Sequence, residues 1–180
     1  MEVSSYYAEG SGTLIDPMLP SEGIGWFRDR PPERIVLTNR HHYRDSDEFR
    51  REFGCPVLCH RAGLHEFEGG PAVDGFEFGD ELAAGITALE IGAICPEETA
   101  LHLDAGPGIL SFADGLIRYG ELGFVSDRLL GDEPDEIKRG LVRSLERLLD
   151  LNFDALAFAH GDPLTAGGKR TLEEFVASRS

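Results

Sequence analysis

Apolar positions fall into short runs over the first two thirds of the chain and recur at helical spacing towards its end. Thr13 to Ile15 is apolar and β-branched and is closed by Asp16-Pro17, so it reads as a strand ending in a turn. Ser21 to Arg28 reads as a short helix stopped by Pro31-Pro32, and Ile35 to Thr38 as a buried strand. Asp45 with Glu48 three residues on marks a helix start; Phe49 and Phe53 share a face, and Gly54 is the stop. Val57 and Leu58 follow as a further strand. Residues 35 to 58 therefore predict strand, polar loop, helix and strand, an α/β unit whose loop lies at a strand's carboxyl end, where such sheets place their ligands.

From Val73 to Tyr119 the pattern turns to β throughout. Phe76 and Phe78 alternate with Glu77, Ile86 and Ala88 begin another run, and Thr99 to Leu103 and Ile109 to Phe112 flank a hairpin turn, residues 104 to 108. Helical spacing then takes over. Pro134 suits a first helical position, and Ile137, Leu141, Leu145 and Leu148 form one stripe ending near Leu151. A strand from Ala155 to Ala159, a loop His160-Gly161-Asp162-Pro163 and a last helix with Leu172, Phe175 and Val176 inward complete the chain. No repeat and no linker interrupts it, and 180 residues suit a single domain, 1–180.

Charge narrows the partners. A net charge of -16 repels phosphate backbones and anionic lipid, so nucleic acid and membrane surfaces are not expected. No run approaches a membrane span, and three cysteines, an odd number, suit a reducing compartment; the expected location is the cytoplasm. Oligomeric state has no signature. The basic residues around "NRHHYR" are too few to track a duplex but could hold a small anion. Cys55, Cys59, His60 and His65 lack the spacing of a structural zinc site and read as ordinary residues, two of them buried thiols. No phosphate loop, nucleophile elbow or CxxC pair occurs. Glu97-Glu98 reads as the polar start of a strand.

Four fragments in order, "GTLIDP", "IVLT" with "NRHHYR", "FAD" and "FAHGDPL", together resemble the metallo-β-lactamase fold superfamily. The resemblance covers nearly the whole chain and implies a four-layer αββα sandwich of mixed α/β and α+β character, with its site at the rim between two sheets. In that family a His-x-His-x-Asp-His loop binds two metals. Its ligand positions fall here on Asn39, His41, Tyr43 and Arg44, so only His41 keeps its type. A further histidine position falls on Ile94. Asp114 resembles the aspartate that bridges the two metals, His160 the last histidine, and Asp16 an aspartate that supports the loop.

On that correspondence neither metal keeps more than two ligands, fewer than the three of a catalytic zinc. Arg44 then stands where a histidine would donate to a metal, and it is expected to pair with Asp114 in place of the lost cations. The favoured reading is a non-catalytic or small-ligand-binding member of the fold. Asn39, Arg40, Arg44 and Asp114 would fill the former site or hold an anionic small molecule, with no cofactor favoured. The alternative is a hydrolase of esters, thioesters or lactones. It would work through one zinc or iron on His41, Asp114 and His160, or without metal through His41 or His160 with Tyr43.

Overall fold

The computed structural model describes residues 3–179. Two five-stranded sheets face each other. The first is built from β1 (Tyr6–Ala8), β2 (Thr13–Ile15), β3 (Arg34–Leu37), β4 (Val57–His60) and β5 (Asp74–Phe76), with α1 (Ser46–Phe53) between β3 and β4. After β6 (Glu81–Ala83), β7 (Ile86–Glu90), β8 (Thr99–Leu103) and β9 (Ile109–Phe112) come a separate hairpin, β10 (Ile117–Tyr119) with β11 (Glu121–Gly123), and then α2 (Pro134–Leu148), β12 (Ala155–Phe158) and α3 (Gly168–Ala177). The second sheet has the order β12-β9-β8-β7-β6.

Side-chain alternation along the strands sorts the apolar residues into three cores. In β3, Ile35 and Leu37 face α1 beside Phe27, Phe49 and Val57, whereas Val36 points between the sheets to meet Ile15, Ile86 and Leu101. In the second sheet Leu110 and Phe112 face the helices and pack on Leu141, Leu145 and Phe175. Helix layer, sheet, sheet, helix layer is the expected αββα sandwich. Gly54 ends α1 in the left-handed conformation, φ 70°, as the sequence predicts.

Three differences from the sequence reading bear on the architecture. The helix predicted over Ser21 to Arg28 is a single 3-10 turn, Ile24–Phe27, because Gly23 (φ 73°) and Gly25 interrupt it. Asp45 does not cap α1; its carboxylate accepts from the Leu19 amide at 2.8 Å. An edge strand that the sequence pattern did not predict also forms: β1 pairs antiparallel with β2 and is pinned to the opposite sheet by Tyr6, whose hydroxyl donates to the Phe158 carbonyl at 3.0 Å. No helix among the described residues is long and apolar enough to cross a membrane.

β2, β3 and β4 run parallel in the first sheet, and β9 and β12 run parallel in the second. Their carboxyl ends share one rim. β8 is antiparallel to β9, so it begins at that rim, and the Thr99 amide donates across to the Thr38 carbonyl at 3.0 Å.

Candidate metal centre

Four strand ends deliver the site. Asp16 follows β2, Thr38 and Asn39 follow β3, Asp114 follows β9, and His160 follows β12. Asn39 then caps a 3-10 turn, Arg40–His42, by accepting the His41 amide on its side chain at 3.0 Å. In a 3-10 turn the side chains at i and i+3 eclipse. Asn39 and His42 therefore point the same way, into the rim, and His41 is turned out to solvent. Gly161, at φ 100°, lets the chain after His160 lie against the Arg118 backbone, where any Cβ would collide with the Arg118 carbonyl.

The side chains that meet are His42, Asp114 and His160. Asp114 Oδ1 lies 2.9 Å from His160 Nε2 and 3.5 Å from His42 Nε2. The three offer one ligand atom each, all within 4.8 Å of one another, and this is the one such group found among the described residues. The other ring nitrogen of His42, Nδ1, is 3.0 Å from Asp16 Oδ2. Asp16 is fixed in turn, accepting from the Thr38 amide (2.8 Å) and the Thr38 hydroxyl (2.5 Å). A carboxylate on the far nitrogen of a histidine is how proteins orient a metal-binding imidazole.

Behind this group lies a second set of buried acids. Glu98 accepts from the Gly115 amide at 2.6 Å and from Asn39 Nδ2 at 3.1 Å, which fastens the residue next to Asp114 to the loop that carries His42. Glu97 has a fully buried side chain and accepts from Arg40 Nη1. Arg44 donates from Nη1 to the carbonyls of Ser4 (2.5 Å) and Asp16 (2.9 Å). Asp16 (φ 48°) and Arg44 (φ 44°) are the two non-glycine residues in the left-handed region among the described residues. This is backbone strain of the kind that collects at functional sites, and here one strained residue clamps the other.

The electrostatics follow from burial and pairing. Burial alone would pull His42 down, but the charges of Asp16 and Asp114 on either side of its ring raise its pKa to about 10. Burial would raise Asp114, yet hydrogen bonds from His160 and His42 hold it well below the carboxylate range. Asp16 is likewise held low against its burial by His42, Arg44 and Thr38. For Glu98, burial and the nearby Asp114 charge outweigh the Gly115 amide, Asn39 and His42 and push it up to about 7. Cys95, beside Glu98, is pushed up to about 12 by burial and by that carboxylate, so it is no thiolate nucleophile.

The expected site residues are thus partly gathered and partly reassigned. Asn39, Arg40, His41, Arg44, Ile94, Asp114 and His160 all border one cleft of about 720 Å3. The proposed Arg44–Asp114 ion pair does not form: the guanidinium is turned to the carbonyls of Ser4 and Asp16, and Asp114 takes histidines as its partners. The metal group contains His42 where the sequence put His41, because the 3-10 turn shifts the inward position by one residue. Tyr43 lies outside the cleft, bonding Asp47 at 2.7 Å and packing on Phe67, so it is no partner for His41 or His160. Glu97 and Glu98, read as a polar strand start, are buried within the site's support. Asp16 does what the resemblance implied and supports the loop. Cys59, fully buried, joins the core beneath α1, in keeping with the buried-thiol reading.

No family model and no curated protein matches the chain. Solved structures do. TTHA1623, described in a di-iron-bound form, is 25% identical, with a TM-score of 0.73 over 94% of this chain and 92% of its own. BLEG-1, a B3 metallo-β-lactamase, is 19% identical with a TM-score of 0.69 over 96% and 92%. ST1585 from Sulfolobus tokodaii, an archaeal metallo-β-lactamase superfamily protein, is 17% identical with a TM-score of 0.63 over 92% and 75%. With its two facing sheets, its helical outer layers and its polar rim at their shared carboxyl ends, the chain has the metallo-β-lactamase fold.

Proposed function

We propose that the chain is a single-metal hydrolase of this fold, holding zinc or iron on His42, Asp114 and His160. The observation that carries this is the convergence of the three ligand atoms, backed by Asp16 on the far side of His42. Two histidines and a carboxylate meet the three-ligand requirement of a catalytic zinc and equally suit mononuclear iron. Such a metal, when bound, supplies Lewis acidity and lowers the pKa of a coordinated water. The chain's own contribution is positioning. Asp16 retains the Nδ1 proton of His42 and aims Nε2 at the centre, Glu98 anchors the Asp114 turn through Gly115, and Gly161 sets the direction of His160.

The sequence favoured a non-catalytic or small-ligand-binding member because too few metal ligands survived, with Arg44 expected on Asp114 and the arginines able to hold an anion. His42 supplies the missing ligand. Arg40 is engaged by Glu97, and Arg44 by backbone carbonyls. Neighbours of the fold include a di-iron-bound protein and metallo-β-lactamases, which is consistent with metal and with hydrolysis.

Metal analysis tests the reading. Protein purified without chelator and offered zinc, iron(II) or manganese should hold about one equivalent, the open three-ligand set of a single catalytic site. His42→Ala and His160→Ala should each abolish stoichiometric binding, and an ester and thioester screen of the loaded protein should show turnover that the variants lack. A wild-type chain that folds but retains no metal under these conditions would overturn the proposal and return the anion-binding reading to first place.

A further inference from the structure

The cleft that contains the metal group has a second face, and it is apolar. Ile94, Val125, Leu129 and Leu130 line it with Val3. Val125 and Leu130 are buried, but Leu129 is 50% exposed and Val3 38% exposed, so two of the few exposed large apolar side chains among the described residues border this one cleft. An exposed apolar surface beside a polar centre is the usual make-up of a small-molecule site. Ile94 is informative in its own right, because it occupies the place where the resemblance puts a histidine ligand. A position that the resemblance gives to a metal-binding histidine forms part of a hydrophobic wall instead.

The wall is also braced. Leu129 closes a 3-10 turn, Asp127–Leu129, whose aspartate pairs with Lys138 on α2 at 2.6 Å. On the opposite side the bordering cations are engaged, Arg40 with Glu97 and Arg44 with carbonyls. The wall of Ile94, Val125, Leu129 and Leu130 is thus the uncharged, apolar side of a cleft whose other side carries the arginines.

We infer that the substrate is an ester or thioester with a straight apolar acyl chain, seated on Ile94, Leu129 and Leu130 with its carbonyl towards His42, Asp114 and His160. This rests on the single-metal reading for the reaction itself. Hydrolysis breaks the acyl bond to oxygen or sulfur; the water's hydroxyl goes to the acyl carbon and its other proton to the leaving atom. The contribution of the wall, binding the chain, does not depend on the metal.

Two measurements separate the claims. In metal-stripped protein labelled at isoleucine, leucine and valine methyls, titration with acetate, butyrate, hexanoate and octanoate should shift the Ile94, Val125, Leu129 and Leu130 signals. Affinity should rise about two- to fourfold per added methylene, the gain expected for a partly to fully buried CH2. In loaded protein, kcat/KM for p-nitrophenyl acetate, butyrate and hexanoate should climb in the same way. Leu129→Asp, at a half-exposed position, should flatten both series, and Ile94→Thr should weaken them. A second apolar cavity, about 620 Å3, lies at the other end of the sandwich beside Ile15, Ile86 and Leu156. Shifts confined to those methyls, or no dependence on chain length, would overturn the inference. A chain-length series in protein that takes up no metal would uphold the wall and overturn the metal centre.

Discussion

His42 sits between two carboxylates, with Asp16 on Nδ1 and Asp114 facing Nε2, and this arrangement fixes how the site responds to pH. In the metal-free protein its pKa is raised from the ordinary 6.5 to about 10, so the folded state binds the proton more tightly than the unfolded chain. The stabilisation is therefore complete below about pH 6.5 and is lost as pH rises through about 10. Urea midpoints of metal-free protein should fall across that window, and His42→Gln should flatten the decline; a midpoint unchanged from pH 6.5 to 10 would contradict the pairing. Metal competes with the same proton, so its affinity should rise with pH over this range. Substitution of Asp16 by asparagine, which removes the charge that orients the ring, should weaken metal binding about 10- to 100-fold, as outer-sphere partners of histidine ligands do. His41→Ala should leave metal content and stability unchanged, because that ring faces solvent. A loss of metal in His41→Ala with retention in His42→Ala would restore the ligand expected from the sequence.

At the scale of an element, one turn decides the ligand. The polar loop after β3 was legible as a site from its position at a strand's carboxyl end, and so were Asp114 and His160. Its internal register was not. An extended loop of the His-x-His kind presents alternate residues, whereas the 3-10 turn started by Asn39 presents residues three apart. "NRHHYR" is compatible with both. Choosing between them needs Glu98 and the Gly115 amide, which lie far along the chain and hold Asn39 in its inward position. The loop after β12 was easier, since a glycine after a histidine at a strand end signals a turn. Gly161→Ala should cost more than the about 1–3 kcal/mol of a strained left-handed residue, because its Cβ would also meet the Arg118 carbonyl, and should displace His160. Equilibrium denaturation and metal titration of this variant should move together.

Across the whole molecule, the centre joins the two sheets. His42 and its support Asp16 come from the first sheet, Asp114 and His160 from the second. A bound metal would hold the sheets together at the rim and, by mass action, stabilise the folded state by about 2.7 kcal/mol at a hundred times its Kd. For a chain of this size that corresponds to a rise in Tm of roughly 5–10 °C, reversed by chelator. The rise should vanish in His160→Ala. Stability of the sandwich itself comes from elsewhere. Leu101, fully buried between the sheets, should cost about 2–5 kcal/mol on replacement by alanine without changing metal stoichiometry.

The sequence by itself determined the strand, loop, helix and strand from β3 to β4, the β-rich middle, the long helix with the strand and helix that follow it, and the strand ends after β3, β9 and β12 that carry the site. Those features are local: hydrophobic period, turn residues and helix stops act over a few neighbours and are written in consecutive positions. It did not determine which histidine turns inward, that Arg44 would face backbone carbonyls in place of Asp114, or that Glu97 and Glu98 would be buried. Each of those depends on a partner brought close by the fold from a distant part of the chain. The balance of burial and pairing that chose them exists once the two sheets have closed on their shared rim.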